Sequence, residues 1–187
     1  MTTHRQQSFL ATLWLNDRPI NTLATLLGKP AWVNRVGDVP VTVPHLASTV
    51  RNDSAMLSCQ SGVVQAAMTF YFRHTSEGYR LYVREPGEHF GKAVVAHHDK
   101  CLGLAPTDKH TPSLFTLHRP GGEPVTLRDL LADTHLVTLS SDGAGISPSR
   151  RANTSHQYLA ARSKAPQVWF LKIAERSVPW LSSPDET

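Results

Sequence analysis

Met56-Leu57-Ser58, followed thirteen positions after its Leu by Phe70-Tyr71-Phe72, is a pattern that this chain uses again. Cys101-Leu102-Gly103 leads to Phe115-Thr116-Leu117 at the same spacing, and Tyr158-Leu159-Ala160 leads to Trp169-Phe170-Leu171 at a spacing of ten. Each copy reads apolar, Leu, small, then a polar linker, then aromatic, any residue, apolar. The aromatic anchors recur after 45 and 54 residues, the mark of a fold assembled from similar units that bury their apolar faces against one another. A second echo lies at an offset of 104: Thr12-Leu13 and Thr22-Leu23-Ala24-Thr25-Leu26-Leu27 match Thr116-Leu117 and Thr126-Leu127-Arg128-Asp129-Leu130-Leu131, with a Pro between the two halves in both. Asp38 and Asp142 continue it.

Around the anchors the apolar runs are short and strand-like. Met68-Thr69-Phe70-Tyr71-Phe72-Arg73, Tyr79-Arg80-Leu81-Tyr82-Val83-Arg84, His135-Leu136-Val137-Thr138-Leu139 and Gln167-Val168-Trp169-Phe170-Leu171-Lys172-Ile173 are rich in aromatic and β-branched residues. Turn signals separate them: Thr75-Ser76-Glu77-Gly78, Glu85-Pro86-Gly87, Pro120-Gly121-Gly122 and Ser141-Asp142-Gly143. Two segments, 21–27 and 126–132, are predicted as short helices. In the second, Thr126 caps, Asp129 sits three residues on, and Leu127, Leu130 and Leu131 are placed on one face. The expected fold class is all-β, with one or two short helices.

With 187 residues the chain fits one domain, expected over 1–175, followed by a Pro-containing tail over 176–187 that Trp180 would pin. Hydrophobic residues at 40% and charged residues at 18% exclude intrinsic disorder, and no heptad pattern supports a coiled coil. Two cysteines, Cys59 and Cys101, do not make a disulfide framework; their places beside the Leu anchors predict buried strand residues, and one bridge between them stays open. No apolar run reaches the roughly 20 residues of a membrane span. The N-terminal residues lack the apolar core of a secretory signal, so the expected location is cytoplasmic, or outside the cell by release without such a signal.

Three units of this kind, roughly 9–66, 67–112 and 113–173, resemble a β-trefoil. Within that superfamily Tyr158-Leu159-Ala160 and Trp169-Phe170-Leu171 are most similar to fascin-like repeats, and Gln167-Val168-Trp169 matches the Gln-x-Trp of ricin-B-type lectins. The equivalent tripeptides, Ser113-Leu114-Phe115 and Met68-Thr69-Phe70, lack both Gln and Trp. The resemblance implies a six-stranded barrel closed by a triplet of hairpins, with ligands held in surface loops. The long first and third units and the helical inserts depart from strict threefold geometry, and an irregular β-rich fold with two short helices is the alternative.

The candidate chemistry is sparse. His97-His98-Asp99-Lys100-Cys101 is the densest run of ligating residues, but a strand over 93–98 would point His97 and His98 to opposite faces, so neither a metal nor a cofactor is expected. No GxSxG, Walker or Rossmann signature occurs, and no Ser/His/Asp set stands out, so the chain is read as non-enzymatic. The basic residues are too loosely grouped, and too free of interleaved aromatics, for a nucleic-acid partner. Sugar recognition has a clearer rationale: a carboxylate accepts from two sugar hydroxyls while an aromatic ring covers the apolar face of the pyranose. Asp38, Asp99 and Asp142 fall at turns, Trp32 lies six residues before Asp38, and His98 adjoins Asp99. The same aspartates also suit turns through side-chain-to-backbone bonds. The expected function is a carbohydrate-binding, lectin-like module for a glycan or glycoprotein. The alternative is a protein-binding module, such as a protease inhibitor, cytoskeletal binder or receptor-binding effector or toxin, using unpatterned loops over 84–92 and 140–156.

Overall fold

The computed structural model describes residues 3–34 and 50–179; Asp38 and Trp180 lie outside them. Strand accounts for 49% of the structure and helix for 7%, an all-β fold. The first third runs β1 (Phe9–Leu15), β2 (Arg18–Pro19), β3 (Asn21–Thr22), α1 (Leu23–Leu27), β4 (Trp32–Asn34), β5 (Val50–Asn52) and β6 (Leu57–Ser58). Next come β7 (Phe70–Thr75), β8 (Gly78–Val83), β9 (Ala93–Ala96), β10 (Leu102–Ala105), β11 (Leu114–His118) and β12 (Pro124–Val125). The chain closes with β13 (Thr134–Ser141), β14 (Ala144–Arg150), β15 (Gln157–Ser163) and β16 (Val168–Arg176).

Six of these strands form a ring. Each pairs antiparallel with the next in the order β1–β7–β8–β11–β13–β16, and β16 returns to β1. Closure leaves the ring strands without a free edge. Their alternation sends one face inward: in β1, Phe9, Ala11, Leu13 and Leu15 are buried and the residues between them are only half so. The hairpins β9–β10 and β14–β15 attach beside the ring, and the bridges Met56–Gly103 and Cys101–Ala160 tie their neighbourhoods together.

The centre of the barrel is packed. A residual void of about 20 Å³ is lined by twelve apolar side chains in four sets of three. Leu13, Leu81 and Leu139 come from β1, β8 and β13; Phe70, Phe115 and Trp169 come from β7, β11 and β16. Leu57, Leu102 and Leu159 stand on β6, β10 and β15, and Ile20, Val94 and Ile146 complete the set. So small and apolar a void has no partners for a water and takes no ligand. Function must therefore lie on the outside or in the loops.

Local chemistry fixes the inserts. Thr22 caps α1 by accepting from the Thr25 amide at 3.3 Å, and Gly28 ends the helix in the left-handed region at φ 68°. Thr126 and Asp129 form a capping box around a single 3-10 turn over Leu127–Asp129. That turn corrects one expectation: a 3-10 period of three aligns Leu127 with Leu130, and both are buried, whereas Leu131 is exposed. The predicted strand over 93–98 stops at Ala96. The expected loop over 140–156 is for the most part the end of β13, a two-residue turn and all of β14, leaving only 151–156 as connection. Asp142 (φ 51°) and Gly143 (φ 75°) both take the positive angles that such a hairpin turn demands. Cys59 and Cys101 are buried and unpaired with each other. The start of the predicted tail is held: Tyr71 Oη donates to the Val178 carbonyl at 3.0 Å, and Val178 is buried.

Candidate functional site

Among the described loop residues singled out by sequence, Trp32 lines a groove to which His98, Asp99 and Asp142 do not contribute. Asp99 belongs to a charged network at the junction of the hairpins. Its centre is Asp53, which is fully buried. Arg51 grips Asp53 through two bonds, Nε to Oδ1 at 2.6 Å and Nη2 to Oδ2 at 2.9 Å. Arg151 Nη1 donates to Asp53 Oδ1 at 2.8 Å, and Tyr158 Oη donates to Oδ2 at 2.6 Å. Through its Nε, Arg151 also reaches Asp99 Oδ2 at 2.7 Å, and Asp99 Oδ1 accepts from the Cys101 amide at 3.1 Å. Arg162 adds a bond from Nε to the Asp99 carbonyl at 2.9 Å. These partners lie 52 and 98 positions apart in the chain and stitch segments from three parts of the barrel together. The side chain of Arg151 is buried against the two carboxylates, with its guanidinium 5.5 Å from the Tyr158 ring centre. Both Asp99 oxygens are thus occupied by the protein.

Burial opposes ionisation of Asp99, but the Arg151 hydrogen bond and the Cys101 amide outweigh it and hold the carboxyl down at about 2. An unfolded Asp titrates near about 3.9, so the folded value is depressed. The stabilisation is present above about pH 4 and is lost as pH falls from there through about 2, an effect on the order of 2 kcal/mol. Unfolding measured by urea between pH 7 and pH 2 should show this loss, and Asp99→Asn should flatten that part of the profile. Burial and the Asp53 hydrogen bond push the Tyr158 phenol up to about 12, so it stays a donor throughout that range.

Asp142 is exposed at its hairpin turn, with one loose ion pair to Lys100 at 3.7 Å. His98 is exposed beside Asp99. Among the described residues no three His, Cys, Asp or Glu side chains come together as a metal site. No helix of the described chain is long and apolar enough to cross a membrane.

Trp32 stands elsewhere. It occupies the first position of β4, opposite Asn52 of β5, with 62% of its surface exposed. It borders a groove of about 630 Å³ that the Lys29-Pro30 segment at the end of α1 shares with Asn52 and Ser54 on one side and Glu88, His89 and Lys92 on the other. Asn52 accepts from the Ser54 amide through Oδ1 at 3.0 Å, and Ser54 Oγ accepts from the Ala31 amide at 2.9 Å, which fixes this wall. On the far wall Lys92 Nζ lies 3.1 Å from His89 Nδ1. Burial first, and the Lys92 charge second, lower the His89 imidazole below its ordinary value, so near pH 7 it is neutral; its Nδ1 accepts from Lys92 and its Nε2–H is left as a donor. Neither His98, Asp99 nor Asp142 lines this groove. Of its walls, sequence reasoning named Trp32 for a sugar and the 84–92 loop, which holds Glu88, His89 and Lys92, for a protein partner; Asn52 and Ser54 carry no motif.

The chain matches no protein-family model, and no curated protein or solved structure compared with it shows a significant similarity.

Proposed function

We propose that this chain is a non-enzymatic, carbohydrate-binding module built on a β-trefoil-like barrel, and that the Trp32 groove is where the sugar sits. The trefoil reading is supported by the four trios of core residues and by the three anchor pairs, which run from β6 to β7, β10 to β11 and β15 to β16. The observation that carries the function is the exposed indole of Trp32 on a groove of mixed polarity. An exposed ring beside polar groups is a platform on which the apolar face of a pyranose can stack. Sugar hydroxyls both donate and accept, and the amide of Asn52, the carboxylate of Glu88 and the neutral imidazole of His89 offer both kinds of partner. A few convergent polar groups around an apolar surface are the usual makeup of a small-molecule site, and about 630 Å³ lies within its usual size.

A glycan-array screen of the folded protein is the test, with Trp32→Ala, Asn52→Ala, Asp38→Ala, Asp99→Ala and Asp142→Ala run beside it. Trp32→Ala should lower binding at least tenfold with unchanged circular dichroism, and Asp142→Ala should leave it in place. Silence across the array, or binding indifferent to Trp32→Ala, would overturn the reading. One observation favours a protein partner as the second reading. Trp14, Phe170 and Leu136 lie in register across β1, β16 and β13, and Phe170 and Leu136 are exposed on the outer wall. Under that reading Phe170→Ala, not Trp32→Ala, abolishes capture of the partner.

A further inference from the structure

A second pocket, of about 400 Å³, opens at the rim of the barrel where the residues before β1 meet the β7–β8 hairpin. Its walls include His4, Arg73, His74, Ser76 and Arg80, and among the described residues no carboxylate lines it. Glu77, in the same turn, lines an adjoining groove that shares His74, Thr75 and Ser76 with this pocket. Arg73 and Arg80 are direct cross-strand partners, so two like charges stand opposite each other on one face of the hairpin. Arg80 also holds a buried Nε that has no hydrogen-bond partner, a donor left unsatisfied at a cost that a native protein seldom carries without a ligand or function. Beside it, His4 Nδ1 and His74 Nδ1 lie 2.8 Å apart, and the charge of Arg128 is felt at His74 as well. Ser8 fixes this arrangement by donating to the His4 carbonyl at 2.9 Å and accepting from the His74 amide at 3.0 Å.

We propose that this pocket binds a tetrahedral oxyanion, phosphate or sulfate, either free or as the end group of a small ester. The guanidinium fork of Arg80 matches such an anion in shape as well as charge, and Arg73 opposite supplies the second cation. The Nδ1–Nδ1 bond leaves one imidazole N–H free to donate, and the Ser76 hydroxyl adds a second donor beside it. The space exceeds what a lone ion fills and reaches the range of small-molecule sites, so the group that carries the oxyanion has room beside it. This site shares no lining residue with the Trp32 groove and does not depend on the reading given to that groove.

The test is isothermal titration of the full chain, at constant ionic strength, with inorganic phosphate, inorganic sulfate and glycerol phosphate, and with chloride as the control. Saturable binding of at least one oxyanion is expected, at least tenfold weaker in Arg80→Gln and intermediate in Arg80→Lys, which keeps the charge and loses the fork. The imidazole resonances of His4 and His74 should move with the same saturation in NMR. Tighter binding of the ester than of the free ions would identify a carried group, and equal affinity a free ion; both support the site. No saturable binding of any oxyanion, or binding unchanged in a folded Arg80→Gln, would overturn it.

Discussion

Trp169→Ala is expected to cost about 3–5 kcal/mol, enough to unfold much of the population, because the indole is wholly buried and faces Phe70 and Phe115 across the barrel centre. Trp169→Phe is expected to be mild, within about 1.5 kcal/mol. The buried Nε1 of Trp169 has no hydrogen-bond partner, so its removal relieves an unsatisfied donor while the smaller ring leaves a modest gap. The two equivalent anchors are already Phe. Urea unfolding of the two variants, read from the midpoint at unchanged slope, separates a packing role from any polar one. A mild Trp169→Ala would mean that the third anchor does not hold the barrel closed.

Asp53→Asn is the second large effect. The carboxylate is fully buried, and its loss leaves Arg151, itself only 7% exposed at its side chain, with one partner in place of two. Breaking a buried pair by removing one member costs about 3–5 kcal/mol, chiefly because the remaining charge is stranded. For a chain of this size that corresponds to a fall of about 6–20 °C in the thermal midpoint. Arg51→Ala should cost less, since that side chain is 22% exposed and water can reach the carboxylate it leaves. If Asp53→Asn melts like the parent, the network does not hold the hairpins.

The anchors were legible because a barrel of similar units needs a Leu and an aromatic at the same places in each unit, and that need is written at fixed spacing in the chain. The cap at Thr126 was readable from local sequence, whereas the helix expected over 21–27 begins only at Leu23, with Thr22 as its cap. The strand β14 was not. Gly145, Ser147, Pro148 and Ser149 give it the composition of a loop, and Ile146 alone points into the barrel void; it is a strand because β15 offers six residues of register to pair with. The ion network escaped because Asp53, Asp99 and Arg151 are distant in sequence, and an arginine beside another arginine in a Ser- and Asn-rich stretch looks solvated. Trp32 could be named from its residue type, but the walls that make it a groove come from the 84–92 loop and β5, which only folding brings to it.

The most direct measurement is the NMR titration of the four tryptophan indole N–H signals with the sugar that binds best on the array, with Trp32→Phe used to assign the Trp32 signal. The expected result is a saturable shift of Trp32 with Trp169 unmoved, since the barrel centre has no room for a ligand. A shift confined to Trp14, or none at Trp32 under saturating sugar, would contradict the account and move the binding surface to the outer wall of the barrel.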